Sequence, residues 1–291
     1  MKIIDPHLHL FDLTKGNYQW LQANQPPFWP DKARIKQNFS EQDIQLTKPL
    51  SLAGFVHIEA GFDNQQPWRE LAWLEQNCYL PFKSVAYADI TLSSENFQAC
   101  IKQLLLQKSF IGVRYILDEQ AAQVLHLPQV KTNLSYLASQ QLSFECQLSL
   151  ADDHAITLLV QLLEQIPELV TIINHAGFPT IAPEQRLFSN WLNNLCQLAS
   201  NPNIAIKCSG WEMIDRHYTS SFAKDIIDHC LDILGLSRVM LASNFPLTLF
   251  SQSYQSYWQM MLNLLSKDSQ HALCYNNAKH WYKLSSLSTN Q

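Results

Sequence analysis

The chain predicts a single (β/α)8 barrel of the α/β class. Eight apolar runs of strand length recur along its 291 residues, and segments of helical periodicity separate them. No G-x-G-x-x-G or G-x-x-x-x-G-K phosphate loop favours an open doubly wound sheet instead. The length suits one such barrel, with eight units of roughly thirty residues each.

The first run, Ile3–Leu10, contains Asp5-Pro6-His7-Leu8-His9. Strand side chains alternate between faces. His7 and His9 therefore share one face with Asp5 below them, while Ile4, Leu8 and Leu10 cover the other. A long connection rich in Trp, Pro and Gln follows, running through Tyr18-Gln19-Trp20-Leu21 to Pro26-Pro27-Phe28-Trp29-Pro30. Such βα loops sit over the catalytic end of a barrel, so Tyr18 and Trp20 are candidates for capping a substrate; pinning the loop is the structural alternative.

The remaining strands are expected at 52–60, 84–90, 110–117, 142–148, 170–175, 204–209 and 239–242. Helical spacing between them is plain in Trp68-Leu71-Ala72-Leu74, Phe97-Ile101-Leu104-Leu105, Ile156-Leu159-Val160-Leu163, Leu187-Trp191-Leu195-Leu198 and Phe222-Ile226-Ile227-Cys230. Extra C-terminal helices are expected at 254–265 and 269–284. The barrel is thus assigned to residues 1–284 and a frayed tail to 285–291.

A content of 47% hydrophobic and 15% charged residues fits a large buried core. A net charge of −5 argues against nucleic acid or an anionic membrane as partner. No apolar run reaches membrane-span length, and the chain enters its first strand at once, without a signal-peptide pattern. Seven scattered cysteines, none in C-x-x-C spacing, suit buried thiols in a reducing cytoplasm. The expected partner is a small polar or anionic molecule, with a homo-oligomer left open by aromatics such as Trp258 and Trp281.

Outward faces of parallel strands meet helices, so the inward faces can be read by elimination. On this alternation Phe55, His57 and Glu59 point inward and Val56 and Ile58 outward. Asp89 joins Val85 and Tyr87, and Arg114 follows Gly112. The fifth run places Ser143, Glu145, Gln147 and Ser149 inward. His175 falls on the side of Ile173, Lys207 and Ser209 lie opposite Ile206 and Cys208, and Asn244 follows the eighth run. Titratable groups concentrated at one end of a barrel are costly for stability and make sense as an active site. His7, His9 and His175 can hold a metal or polarise a carbonyl, and Arg114 and Lys207 read as anion binders. Glu145 and Gln147 are further substrate contacts, and Glu59 is either a functional carboxylate or an ion-pair partner of Arg114 or Lys207.

With these residues placed, the chain resembles the amidohydrolase superfamily, in its amidohydrolase-2 branch of sugar-acid lactonases and pyrone-dicarboxylate lactonase. The resemblance rests on Asp5-Pro6-His7-Leu8-His9-Leu10-Phe11-Asp12, Val56-His57-Ile58-Glu59-Ala60, Gly112-Val113-Arg114, Asn174-His175-Ala176-Gly177-Phe178-Pro179, Lys207-Cys208-Ser209-Gly210 and Ala242-Ser243-Asn244-Phe245-Pro246. It implies His7, His9 and His175 as the imidazole set, holding one divalent ion such as zinc or none, and Arg114 as the holder of a substrate carboxylate or ring oxygen. It also calls for an aspartate after the eighth strand, where this chain has Asn244.

An amide accepts no proton, so Asn244 cannot be the general base. The expectation is that Glu59 takes over as base or anionic ligand, with Asn244 positioning water and His175 assisting. The activity so implied is opening of a small polar lactone by activated water. The alternatives are a zinc-dependent decarboxylase or hydratase acting on an unsaturated or aromatic acid, and a catalytically silent binding barrel.

Overall fold

The computed structural model describes residues 1–180 and 185–284. The tail assigned to 285–291 lies outside the described residues. Eight parallel strands form one sheet in sequence order: β1 Lys2–Leu8, β2 Ser51–Ile58, β3 Phe82–Tyr87, β4 Phe110–Ile116, β5 Ser143–Gln147, β6 Thr171–Ile173, β7 Ile204–Cys208 and β8 Val239–Leu241. The sheet curls into a barrel whose seam is closed beyond the strand ends. There Leu8 bridges Phe245, His9 N–H donates to the Phe245 carbonyl at 2.7 Å, and Asn244 N–H donates to the His7 carbonyl at 2.9 Å.

The intervening helices are α1 Trp68–Asn77, α2 Ser94–Leu104, α3 Ala121–Leu125, α4 Pro128–Ser139, α5 Asp153–Gln165, α6 Gln185–Ala199, α7 Trp211–Ile214 and α8 Ser220–Leu234. Their starts follow local chemistry. Ser93, Asp152 and Thr219 accept backbone N–H bonds at the heads of α2, α5 and α8, and α4 opens on Pro128.

Packing separates two apolar layers. Ile3, Leu8, Phe55, Val113, Phe144, Ile173, Ile206 and Leu241 belong to the large layer between sheet and helices. Ile4, Val56, Ile58, Val85, Ile172, Ala205 and Met240 cluster together although their strands lie around the whole barrel, which only the interior permits. The inward assignment of β2 is therefore reversed. Val56 and Ile58 fill the barrel, whereas His57 faces α1 and pairs with buried Glu70 at 3.1 Å. On β1 the alternation breaks at a register shift between Asp5 and Leu8. Ile4 fills the interior, and the next inward groups are His7 and His9 rather than Asp5.

Asp5 instead joins the seam. Its carboxylate accepts from the Ser243 hydroxyl, from Ser243 N–H at 3.1 Å and from the Tyr254 phenol at 3.1 Å. Burial raises its carboxyl to about 6 against these bonds.

After β8 come α9 Tyr254–Leu264, α10 Lys267–His271 and α11 Asn277–Trp281, with a π-helical turn over Ala272–Asn276. This segment closes the N-terminal end of the barrel. Asn277 donates to the Leu236 and Val239 carbonyls and Trp281 to that of Ser237, while Ala278, Tyr282 and Leu284 join the interior cluster. The long connection between β1 and β2 is pinned over the other end. Phe11 and Phe39 exchange backbone hydrogen bonds, Lys32 donates to the Gln22 and Gln25 carbonyls, and Arg34 donates to that of Phe250. Among the described residues no helix is long and apolar enough to cross a membrane.

Close strand contact leaves one glycine no freedom to change. A Cβ on Gly112 would stand 2.1 Å from Ser143 Oγ and 2.6 Å from the Ser143 carbonyl oxygen. Gly112→Ala is expected to cost about 1–3 kcal/mol through overpacking between β4 and β5, read as a lower urea midpoint at unchanged slope.

Candidate active site

The C-terminal ends of the strands bring His7, His9 and His175 together. The ring centroids of His7 and His9 lie 5.2 Å apart, and those of His7 and His175 4.6 Å apart. His175 reaches this cluster by leaving strand geometry. Ile173 packs toward the helices, but His175 and Ala176 adopt left-handed φ values of 53° and 51°, and these turn the imidazole inward. Gly210 (φ 72°) packs on the same ring; a Cβ there would stand 2.5 Å from His175 Nδ1.

Each imidazole has its Nδ1 engaged. His9 Nδ1 lies 2.7 Å from the Ile58 carbonyl, His175 Nδ1 3.1 Å from Ser209 Oγ, and His7 Nδ1 3.3 Å from Lys207 Nζ. Burial is the largest cause holding all three pKa values well below the ordinary histidine range. The Lys207 and Arg114 charges add to it at His7 and His175, and Arg114 with the His57 ring at His9. The rings are neutral at pH 7, so their partners fix the tautomers. A carbonyl only accepts, which puts the His9 proton on Nδ1. An ammonium only donates, which puts the His7 proton on Nε2.

Lys207 does not reach outward as an anion binder. It is fully buried, and its Nζ donates to Glu145 Oε2 at 2.7 Å. Burial lowers its pKa to about 8, opposed by that carboxylate. Glu145 also accepts from Asn174 Nδ2 at 2.6 Å and from the Tyr282 phenol. A polar column thus runs from the C-terminal plug through Tyr282, Glu145 and Lys207 to His7. Glu145 serves this column and makes no approach to the mouth.

Arg114 and Glu59 sit higher, 6% and 5% exposed. Arg114 Nε and Nη2 meet Glu59 Oε1 at 2.8 and 2.7 Å, Nη2 also donates to the Glu59 carbonyl, and Nη1 contacts Gln147 Oε1 at 3.3 Å. Burial raises the Glu59 pKa, with Arg114 opposing. The ion-pair alternative for Glu59 is the arrangement present. A carboxylate clamped by a guanidinium orients that guanidinium.

Tyr18 lies in the loop core, 1% exposed, packed on Phe11 and Phe62 with its oxygen accepting from Asp12 N–H. Trp20 is half-buried and donates to the Ala60 carbonyl at 2.7 Å, fastening the loop beside Glu59. Both aromatics pin the loop. An open groove of about 510 Å³ lies to the side, lined by Trp68, Tyr87, Asp89, Asn96 and Cys100; none of the three histidines lines it.

Asn244, in left-handed conformation (φ 57°), points its amide at a residue the sequence reading missed. Its Nδ2 donates to Glu212 Oε1 at 2.6 Å and contacts Met213 Sδ at 3.3 Å. Glu212 lies on α7, fully buried, its carboxyl pushed up to about 7 by burial. The signal for it was a glutamate shortly after a strand end, behind the turn-forming Ser209-Gly210.

A divalent ion does not fit this donor set as it stands. Among the described residues no three His, Cys, Asp or Glu side chains are grouped to hold one. His7 presents N–H rather than a lone pair, and the eighth-strand position supplies a neutral amide oxygen instead of a carboxylate.

The sequence pattern of the Amidohydrolase family matches residues 4–284. The chain belongs to this family. The family is one of enzymes of hydrolase type. It is 28% identical over 299 residues to the uncharacterized protein y4mH of Sinorhizobium fredii, covering 97% of this chain and 98% of that one. In fold it is similar to a zinc-bound amidohydrolase from Burkholderia multivorans, with TM-score 0.76 and 16% identity over 98% of this chain and 100% of that one. A protein described as a 2-pyrone-4,6-dicarboxylic acid hydrolase from Pseudomonas putida gives TM-score 0.70 and 20% identity, over 97% and 98% of the two chains.

The buried column gives a stability test. Lys207→Met strands the Glu145 charge and is expected to cost about 3–5 kcal/mol. Adding Glu145→Gln should recover part of that loss, measured by urea unfolding of the single and double variants.

Proposed function

We propose that this chain opens a small polar lactone, of the sugar-acid or ring-dicarboxylate kind, by attack of water. The observation that carries this reading is the set of neutral, desolvated imidazoles beside one guanidinium, with every Nδ1 engaged and, among the described residues, no Nε2 hydrogen-bonded. His7 offers an Nε2–H donor to the attacking water. His175 offers one to the carbonyl oxygen when the Ser209 hydroxyl donates to its Nδ1. His9 offers a lone pair that accepts from a substrate hydroxyl.

Negative charge develops on a lactone carbonyl oxygen as water attacks. N–H donors fixed in a water-poor pocket stabilise that charge without reorganising, which is worth about 10²–10³ in rate per donor. Arg114, oriented by Glu59 and Gln147, keeps N–H capacity for a substrate carboxylate or ring oxygen. A ring dicarboxylate, the substrate class for which the Pseudomonas putida protein is described, would suit one arginine and a polar rim.

A panel of sugar-acid lactones and 2-pyrone-4,6-dicarboxylate, followed by proton release, tests the proposal. The wild type is expected to open at least one member well above the buffer rate. Arg114→Met should raise KM for a carboxylated member by tenfold or more, about the 1.4 kcal/mol that a tenfold change represents. Release of carbon dioxide from an aromatic acid, with no lactone opened, would replace this reading with the decarboxylase one.

A further inference from the structure

Among the described residues, three buried polar atoms in and beside the β1–β8 seam have no partner: His7 Nε2, Asn244 Oδ1 and Glu212 Oε2. Their residues are 0%, 1% and 0% exposed. They are also tied to one another, since Asn244 N–H donates to the His7 carbonyl at 2.9 Å and Asn244 Nδ2 to Glu212 Oε1 at 2.6 Å. Buried polar groups left unpaired in this way mark a site for an ordered water, which needs two to four partners.

The donor count closes on one water. Lys207 forces the His7 proton onto Nε2, so that atom donates. The Asn244 amide hydrogens are turned to Glu212 and Met213, so Oδ1 is left as acceptor. Arg216 donates to the Glu212 backbone carbonyl, not its carboxylate, so Oε2 is a second free acceptor. A water accepting from His7 and donating to Asn244 and Glu212 keeps one lone pair unused, and a nucleophile needs that lone pair.

We propose that His7, Asn244 and Glu212 bind the attacking water and that Glu212 is the catalytic residue that takes its proton. This rests on the lactone reading above and supplies the base which Asn244 cannot be. The water oxygen bonds to the lactone carbonyl carbon while its proton passes to Glu212. The ring C–O bond then breaks, and Glu212 returns the proton to the departing ring oxygen, giving a hydroxy acid with no redox change. Burial holds the Glu212 carboxyl at about 7, close to a working pH, where a general base is most effective. Glu59 is instead paired through Oε1 with two guanidinium nitrogens and orients Arg114.

Two measurements test this. In a high-resolution crystal structure of the wild type, a water is expected within hydrogen-bond distance of all three atoms, and it should vanish in Glu212→Leu. Absence of that water from wild-type density overturns the proposal whether or not a substrate is known. On a lactone that the wild type opens, Glu212→Gln should lower kcat by about 10²–10⁴ with KM little changed. A rate within tenfold of wild type, from a variant whose circular dichroism and melting match, overturns the assignment. Asn244→Asp should also slow turnover, because two adjacent carboxylates must share a proton; a gain would mean that Asn244 impairs the site and would equally overturn it. If the wild type opens no lactone, the substrate reading fails, and the crystallographic water still decides the site.

Discussion

The seam between the first and eighth strands is the constraint on which the rest of the molecule depends. A barrel has no free edge only if its last strand finds its first. Here β8 is short, and closure is completed beyond it by Asn244 N–H to His7, His9 N–H to Phe245, and the Asp5 carboxylate against Ser243 and Tyr254. The same backbone bonds place Asn244 next to His7. Barrel closure and site assembly are one set of interactions.

A second dependence runs along the barrel axis. An interior filled only with Val, Ile and Leu would be more stable, yet this one carries a buried glutamate, lysine and tyrosine in contact. Their attraction and hydrogen bonds offset desolvation only while all partners are present. The column's effect is felt at its top, where an ammonium against His7 Nδ1 dictates which nitrogen bears the proton. His7 is thereby tuned toward donating a hydrogen bond from Nε2.

Much of this was legible in the sequence. Eight apolar runs gave all eight strands within a few residues, because a strand buried on both faces needs a continuous apolar stretch. Alternation also placed His7, His9, Arg114, Glu145, Gln147 and Lys207 on the interior side. Alternation failed where the backbone departs from a strand: at the register shift near Pro6, at left-handed His175, and on β2, where both faces are apolar enough to hide the parity. Tyr18 and Trp20 carried no local signal to separate loop-pinning from capping.

The amino-acid sequence by itself determined the barrel, its long covering loop and the imidazole and guanidinium inventory, since periodicity and side-chain chemistry are local properties. Only the tertiary structure decided what each charge is for. Glu59 turned out to grip Arg114, Lys207 to face inward to Glu145, and Glu212 to stand beside Asn244. Those pairings join residues between 32 and 62 positions apart, and no local pattern encodes which distant partner a buried charge will meet.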